Sequence, residues 1–263
     1  MRTNRVKQCI AEGRVALGSG TNLPEPAIVE ILGLAGYDCV RIDLEHSAVD
    51  LSQVQDLVRA AELVDTSPWI RVPDNDPKLI LRLLDMGIQG VLIPGVRTAK
   101  EAQRAVSSVR YRPLGERGAY PVSRAAGYSA IPWSTHVESS NEQIMLTMLV
   151  EDEVGISNIE EIASVDGVDF VSLGPSDLAE QMGIRDPNSP KLRAAVDSVA
   201  ERLTKVGKAK MAFYMGHHML DVTMNDLKKW NVGFVHVLPN PDRFLIHYYK
   251  DLISGMREEW NKS

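Results

Sequence analysis

Residues 37–46 read YDCVRIDLEH. An apolar, β-branched run leads to Asp43 and then gives way to Glu45 and His46. Three other stretches repeat this pattern: SPWIRVP at 67–73 with Arg71, TMLVED at 147–152 with Glu151, and FVSLGPSD at 170–177 with Asp177. Short, nearly continuous apolar runs are expected of parallel strands covered on both faces. In a parallel barrel all strand ends meet on one face, where chemistry is built. That face would gather two carboxylates, an imidazole and a guanidinium.

Reading outward, eight candidate strands emerge: 15–19, 38–44, 69–72, 90–94, 146–150, 170–173, 210–214 and 233–238. Between them lie helical patterns. Ile28, Ile31, Leu32 and Ala35, and then Val54, Leu57, Val58 and Ala61, follow the spacing of one helix face. Ile80, Leu83 and Leu84 follow Asp76-Pro77, a capping acid before a first-turn proline. Further helices are expected over 158–163 and 192–203. Strict alternation predicts a single (β/α)8 barrel over 1–263, with a doubly wound open sheet as the alternative. Two stretches interrupt the rhythm. Residues 109–141 make a long connection, read as a lid or an oligomer contact. The C-terminal segment from 241 puts Phe244, Leu245, Tyr248, Leu252 and Met256 on roughly one helix face. That helix either closes the barrel or packs on a neighbouring subunit.

Bulk composition bounds the function. At 263 residues with 44% hydrophobic and 24% charged residues, the chain can fill a core. A net charge of −6 offers nucleic acid or an anionic membrane no general attraction. No run approaches the ~20 apolar residues of a membrane span, and the N-terminal segment lacks a secretory signal. Two distant cysteines, Cys9 and Cys39, fit a reducing, cytoplasmic setting.

The candidate site follows from the strand ends. Glu151 and Asp177 close neighbouring strands, and strands lie about 4.8 Å apart. Two carboxylates whose remaining positions take water and substrate oxygens suit Mg2+ or Mn2+. The competing reading makes Asp177 a helix N-cap and Glu151 a solvated strand end, and Asp152 and Glu153 crowd the same spot. His46, near Asp43 and Glu45, suits an acid–base role; a lone histidine is otherwise structural. Arg71 suits bidentate contact with a carboxylate or enolate oxygen, or else an ion pair with Asp43 or Glu45. The turn Gly174-Pro175-Ser176 opens a helix whose free N–H groups can hold a carboxylate. Asp85 reads as a solvated helix end, and His217-His218 as a helix start. There is no GxGxxG, Walker loop or GxSxG.

Taken in order, IDLEHS, IRVP, LLDMGIQGVLIP, RYRPLGERG, SRAAGY and the run VEDEVGISNIEEIASVDGVDFVSLGPSDLAEQMG resemble the class II pyruvate aldolases of the HpcH/HpaI family. The resemblance runs from about residue 14 to 184. It implies a (β/α)8 barrel in a homo-oligomer, hexamer or trimer, with exchanged C-terminal helices. It further implies a divalent metal, Mg2+ or Mn2+ first and Co2+ or Zn2+ next. The substrates it implies are pyruvate or another 2-oxo acid and an aldehyde, joined or cleaved as a 4-hydroxy-2-oxo acid. On this resemblance Glu151 and Asp177 would hold the metal, and Arg71 would contact the substrate keto oxygen. His46 and Asp43 would form the acid–base pair, and Asp85 of a neighbouring subunit would help position the site. The Gly174, Pro175 and Ser176 backbone would grip the pyruvate carboxylate. The chain departs from the family pattern at Leu149, where glutamine is frequent, at Asp152, and in the turn VLPNPDRF. That turn and KMAFYMGHH lie where a longer substrate would touch. Oxaloacetate decarboxylation or another pyruvate-enolate bond-forming reaction uses the same core, and a non-catalytic keto-acid-binding barrel is the reading from another class.

Overall fold

Every residue of the strand carrying YDCVRIDLEH is buried, because its two faces meet two different cores. The computed structural model describes residues 1–262. Its strands are β1 (Ala16–Thr21), β2 (Cys39–Asp43), β3 (Ser67–Arg71), β4 (Gly90–Ile93), β5 (Met145–Val150), β6 (Phe170–Leu173), β7 (Lys210–Met215) and β8 (Val232–Val237). All pair in parallel, and β8 closes on β1, giving a (β/α)8 barrel rather than an open sheet.

The helices are α1 (Arg5–Ala11), α2 (Pro26–Leu34), α3 (Leu51–Leu63), α4 (Pro77–Met86), α5 (Ala99–Val109), α6 (Trp133–Gln143), α7 (Glu153–Ser157), α8 (Ile159–Ala163), α9 (Pro175–Gln181), α10 (Pro190–Val206), α11 (Met224–Lys229) and α12 (Pro241–Lys262). Local signals set their starts. Asp76 caps α4 ahead of Pro77, and capping boxes open α3 at Asp50/Gln53 and α5 at Thr98/Glu101. The outer strand positions, such as Val40, Ile42, Leu146, Met148, Val171 and Leu173, pack against the helices as the larger core.

Inward positions alternate with these and form strata along the barrel axis. Trp69, Phe170, Phe234, Met145, Cys39 and Ala212 fill the end where the strands begin, and α1 plugs it with Val6 and Cys9. One inward step further the lining turns polar, with Arg41, Thr147, Ser172, Tyr214 and His236. The same inward phase carries Asp43, Arg71, Glu151 and Gly174, at the mouth where the strands end.

Three expectations change. Residues 133–143, within the expected long connection, form α6, while 124–129 form a 3-10 turn. This connection leaves the end of α5 and enters the start of β5, so it lies at the end of the barrel opposite the mouth. It is pinned there by Arg110 to Ile144 O (2.6 Å), Arg117 to Asp85 (2.8 Å) and Arg124 to Met86 O (2.9 Å). It is therefore no lid over its own barrel. His217-His218 lies in a turn after β7, because the Thr223/Asp226 capping box starts α11 only at Met224. Finally, α12 does not close the barrel: none of its residues is buried.

Candidate active site

Register builds one wall of the mouth. Asp43 stands directly opposite Arg71 at the paired ends of β2 and β3. The Asp43 carboxylate accepts from Arg71 Nε at 3.1 Å and from Arg71 Nη2. It also accepts from the backbone N–H of Glu45 at 3.0 Å and of His46 at 3.2 Å. Glu45 Oε2 lies 3.1 Å from Arg71 Nη1 and 3.5 Å from His46 Nε2. Burial raises the Asp43 pKa, but the hydrogen bond and charge of Arg71 outweigh it and hold the carboxyl below its ordinary value. The ion pair expected as the alternative for Arg71 is thus formed with both acids. The imidazole of His46 meets Glu45 rather than Asp43, which reaches His46 only through its backbone. Its side chain is 66% exposed.

The facing wall comes from β5 and β6. Val150 pairs with Leu173, which sets Glu151 beside Gly174. A Cβ on Gly174 would fall 2.9 Å from Glu151 Oε2 and 3.5 Å from Asp177 Oδ2. The two carboxylates therefore flank one small volume that only glycine leaves open. Glu151 Oε1 accepts from Gly95 N at 2.9 Å. Burial, then the negative charges of Asp177 and Glu45, raise the Glu151 pKa to about 7.

The crowded acids sit in different surroundings. Asp152 caps α7 through Gly155 N (2.8 Å) and pairs with Arg97, while Glu153 lies exposed in the first turn of α7. Asp177 is not a cap: Gly174 holds the N-cap position of α9, leaving the Asp177 side chain free to face Glu151. The amides of Ser176 and Asp177 open this helix without upstream carbonyl partners.

Asp85 sits at the far end of α4, paired to Arg117 at 2.8 Å and remote from its own chain's mouth. The sequence reading overlooked His217 in this role. Its Nδ1 accepts from Met219 N at 3.1 Å, and its Nε2 lies 3.3 Å from Ser176 Oγ. Burial, with the positive charges of His218 and Arg243, lowers its pKa to about 4. It is a neutral ring carrying its proton on Nε2, beside the α9 turn. Arg41 and His236 were also overlooked, although their period-2 phase with Asp43 and the strand ends marks them as inward-facing; Tyr214 lies in KMAFYMGHH, the stretch expected to touch a longer substrate.

The donor set fits a hard divalent cation. Among the described residues no group of three or more His, Cys, Asp or Glu could hold a metal ion. A cation between Glu151 and Asp177 would take two protein carboxylates and complete its shell with water and ligand oxygens, as Mg2+ does. Such an ion would offset both the burial of Glu151 and its repulsion from Asp177 and Glu45.

The HpcH/HpaI aldolase/citrate lyase family matches residues 21–231. The chain is 36% identical over 206 residues to the 5-keto-4-deoxy-D-glucarate aldolase of Enterobacter sp. (strain 638), covering 78% of this chain and 80% of that protein. It is 36% identical over 208 residues to the hydroxypyruvate/pyruvate aldolase of Roseobacter denitrificans, with the same coverage. Its fold superposes on the crystal structure of an HpcH/HpaI aldolase from Desulfitobacterium hafniense with a TM-score of 0.87, 26% identity and 96% coverage of both chains. The barrel, its mouth and these relatives together show that the chain belongs to the HpcH/HpaI aldolase/citrate lyase family.

Proposed function

We propose that this protein is a divalent-metal-dependent aldolase that reversibly cleaves a 4-hydroxy-2-oxo acid to pyruvate and an aldehyde. The observation that carries the reading is the convergence of Glu151 and Asp177 over Gly174, within the reach of charge from Glu45 and Arg71. Mg2+ or Mn2+ held there, with Co2+ and Zn2+ as alternatives, would polarise the 2-oxo group as a Lewis acid.

The chain's own groups do the rest. The amides opening α9, with Gly174 and Pro175 shaping the turn and Ser176 at its edge, receive the substrate carboxylate. Arg71, held in its plane by Asp43 and Glu45, donates to the keto oxygen, and that bond strengthens as negative charge develops. His46 takes the proton of the 4-hydroxyl, directly or through a water, with Glu45 steadying the imidazole. The C3–C4 bond then breaks, its electron pair passes into the enolate of pyruvate, and the aldehyde leaves. Protonation at C3 gives pyruvate. No lysine ends any strand, so imine chemistry has no candidate nucleophile among the described residues.

The reading extends to assembly. Phe244, Tyr248, Leu252 and Met256 are all exposed on α12, which supports exchange of this helix between subunits of a hexamer or trimer. Asp85 would then act at a neighbour's mouth. The free, buried Cys9 and Cys39 support a reducing, cytoplasmic setting, and no helix is long and apolar enough to cross a membrane.

The test is exchange of the pyruvate methyl protons in deuterium oxide, followed by NMR on metal-stripped protein and again after Mg2+ or Mn2+ is restored. Exchange that requires the metal is expected. Exchange that is absent under every metal, or undiminished without one, overturns the reading.

A further inference from the structure

The turn after β7 carries a histidine that the proposed reaction leaves unused. β7 ends at Met215, and Gly216 reverses the chain with a φ of +81°. A Cβ on Gly216 would fall 2.7 Å from Leu238 O, so the position admits only glycine. This tight turn delivers His217 to the opening of α9, where Ser176 precedes Asp177.

Two contacts fix the ring. Nδ1 accepts from Met219 N at 3.1 Å, and Nε2 lies 3.3 Å from Ser176 Oγ. A neutral imidazole carries one N–H, and an accepting Nδ1 places it on Nε2. Nε2–H therefore donates to the serine oxygen. The ring is packed as well, with the His218 and Tyr214 ring centroids 4.6 and 5.8 Å away. Burial and the positive charges of His218 and Arg243 lower its pKa to about 4, so it is neutral at pH 7.

That tautomer decides what the hydroxyl can do. A serine hydroxyl is one donor and an acceptor. With His217 bonded to the oxygen, the hydrogen is left for another partner, and no acceptor among the described residues takes it. Ser176 carries the only side-chain donor in Gly174-Pro175-Ser176-Asp177. Pro175, at the first helical position, has no N–H to offer a ligand. A substrate carboxylate at this turn also meets the negative charges of Glu151 and Asp177, so each donor that faces it counts.

We propose that His217 is a positioning residue: its Nε2–H fixes the Ser176 hydroxyl with the hydrogen turned outward, as a donor to the substrate carboxylate. The proposal rests on the aldolase reading and adds to it a residue that acts without touching substrate.

The test follows metal-dependent exchange of the pyruvate methyl protons against pyruvate concentration in two partial isosteres of histidine. Glutamine sets a donor near the place of Nε2 and nothing near Nδ1. Asparagine sets an acceptor near the place of Nδ1 and does not reach Ser176. His217→Asn raises KM about tenfold, the scale of one hydrogen bond to a charged group. It leaves kcat within about threefold, because the bond is made alike in ground and transition states. Ser176→Ala does the same, and adding His217→Asn to it costs nothing further. His217→Gln recovers most of the loss.

The opposite pattern, with asparagine near wild type and glutamine impaired, marks the Met219 contact as the work of the ring and overturns the proposal. So does a fall in kcat at constant KM, or losses that multiply in the double variant. If the His217 variants do not fold, Ser176→Ala decides, since that residue is exposed: a KM within about twofold of wild type overturns the proposal, and a tenfold rise supports it. Nitrogen-15 NMR of the histidine rings gives a readout free of turnover. The Nε2–H tautomer is expected for His217, and the Nδ1–H tautomer overturns the proposal. Calorimetric pyruvate binding to the Mn2+-loaded protein separates the two readings. Exchange with a pyruvate affinity independent of His217 sinks the positioning role alone. Pyruvate binding weakened by His217→Asn, without exchange in wild type, sinks the aldolase reading alone.

Discussion

The two walls of the mouth solve the problem of buried charge in opposite ways. On β2 and β3, Asp43 and Glu45 are paired to Arg71, the charge of Arg41 also acts on Asp43, and the net effect on Asp43 is a lowered pKa. On β5 and β6, Glu151 faces Asp177 with no cation among the described residues paired to it, and burial together with the charges of Asp177 and Glu45 raises its pKa to about 7. Balanced charge holds a guanidinium rigidly for use. Unbalanced charge is a demand for something absent from the polypeptide. A stability-driven design would not leave it so, and this kind of local conflict is expected at functional sites.

Removing the unbalanced wall should have the largest effect. Glu151→Ala and Asp177→Ala should each lower metal-dependent pyruvate exchange by about 10³-fold or more, the several kcal/mol expected of lost Lewis-acid assistance. Calorimetric Mn2+ titration should show the matching loss of affinity. Metal binding at wild-type strength in both variants would mean that the two walls do not differ in the way described.

On the balanced wall, Arg71→Lys should reduce exchange by about 10²-fold, because a point charge cannot reproduce the fork held by Asp43 and Glu45. Near-native exchange in that variant would remove the bidentate role. Arg71→Ala should additionally lower Tm, since Asp43 is then buried without its partner.

The walls should also respond oppositely to pH. In metal-free protein the folded pKa of Glu151 lies above its ordinary value of 4.5, so the folded state binds more protons between there and about 7. Stability is therefore lost as pH rises through that window. Glu151→Gln should melt a few degrees above wild type at pH 8, with the gap closing toward pH 5. Asp43 has a lowered folded pKa, so its contribution is present above the unfolded value and lost only as acid brings the pH down through the folded one. A Glu151→Gln protein whose Tm advantage over wild type does not change with pH would contradict the contrast. The smallest effect belongs to Asp152→Ala. It should cost about 1 kcal/mol of stability as a lost cap of α7, read by urea denaturation, and leave exchange within about threefold of wild type.

The barrel was largely legible in the chain, because strand cores in a parallel barrel are buried on both sides and read as continuous apolar runs. Their ends were legible too: Asp43, Arg71, Glu151 and Gly174 share the inward phase of their strands. The 109–141 stretch misled because its arginines and glycines resemble an open loop. In the structure Arg110, Arg117 and Arg124 are spent on pinning it to the other end of the barrel. Arg41 and His236 went unnoticed for the converse reason. Each sits inside an apolar run, where a polar residue looks like noise until the pleat shows that it faces the barrel interior.

Local sequence thus determined which segments are strands, which helices follow them, and which side chains stand at the ends, since alternation, caps and breakers act over a few residues. Only the closed tertiary structure decided which acid faces Asp177, which carboxylate steadies His46, and that Arg41 forms no ion pair among the described residues. Those facts depend on register across strands distant in sequence and on how much water remains around each charge, and both are set when β8 meets β1.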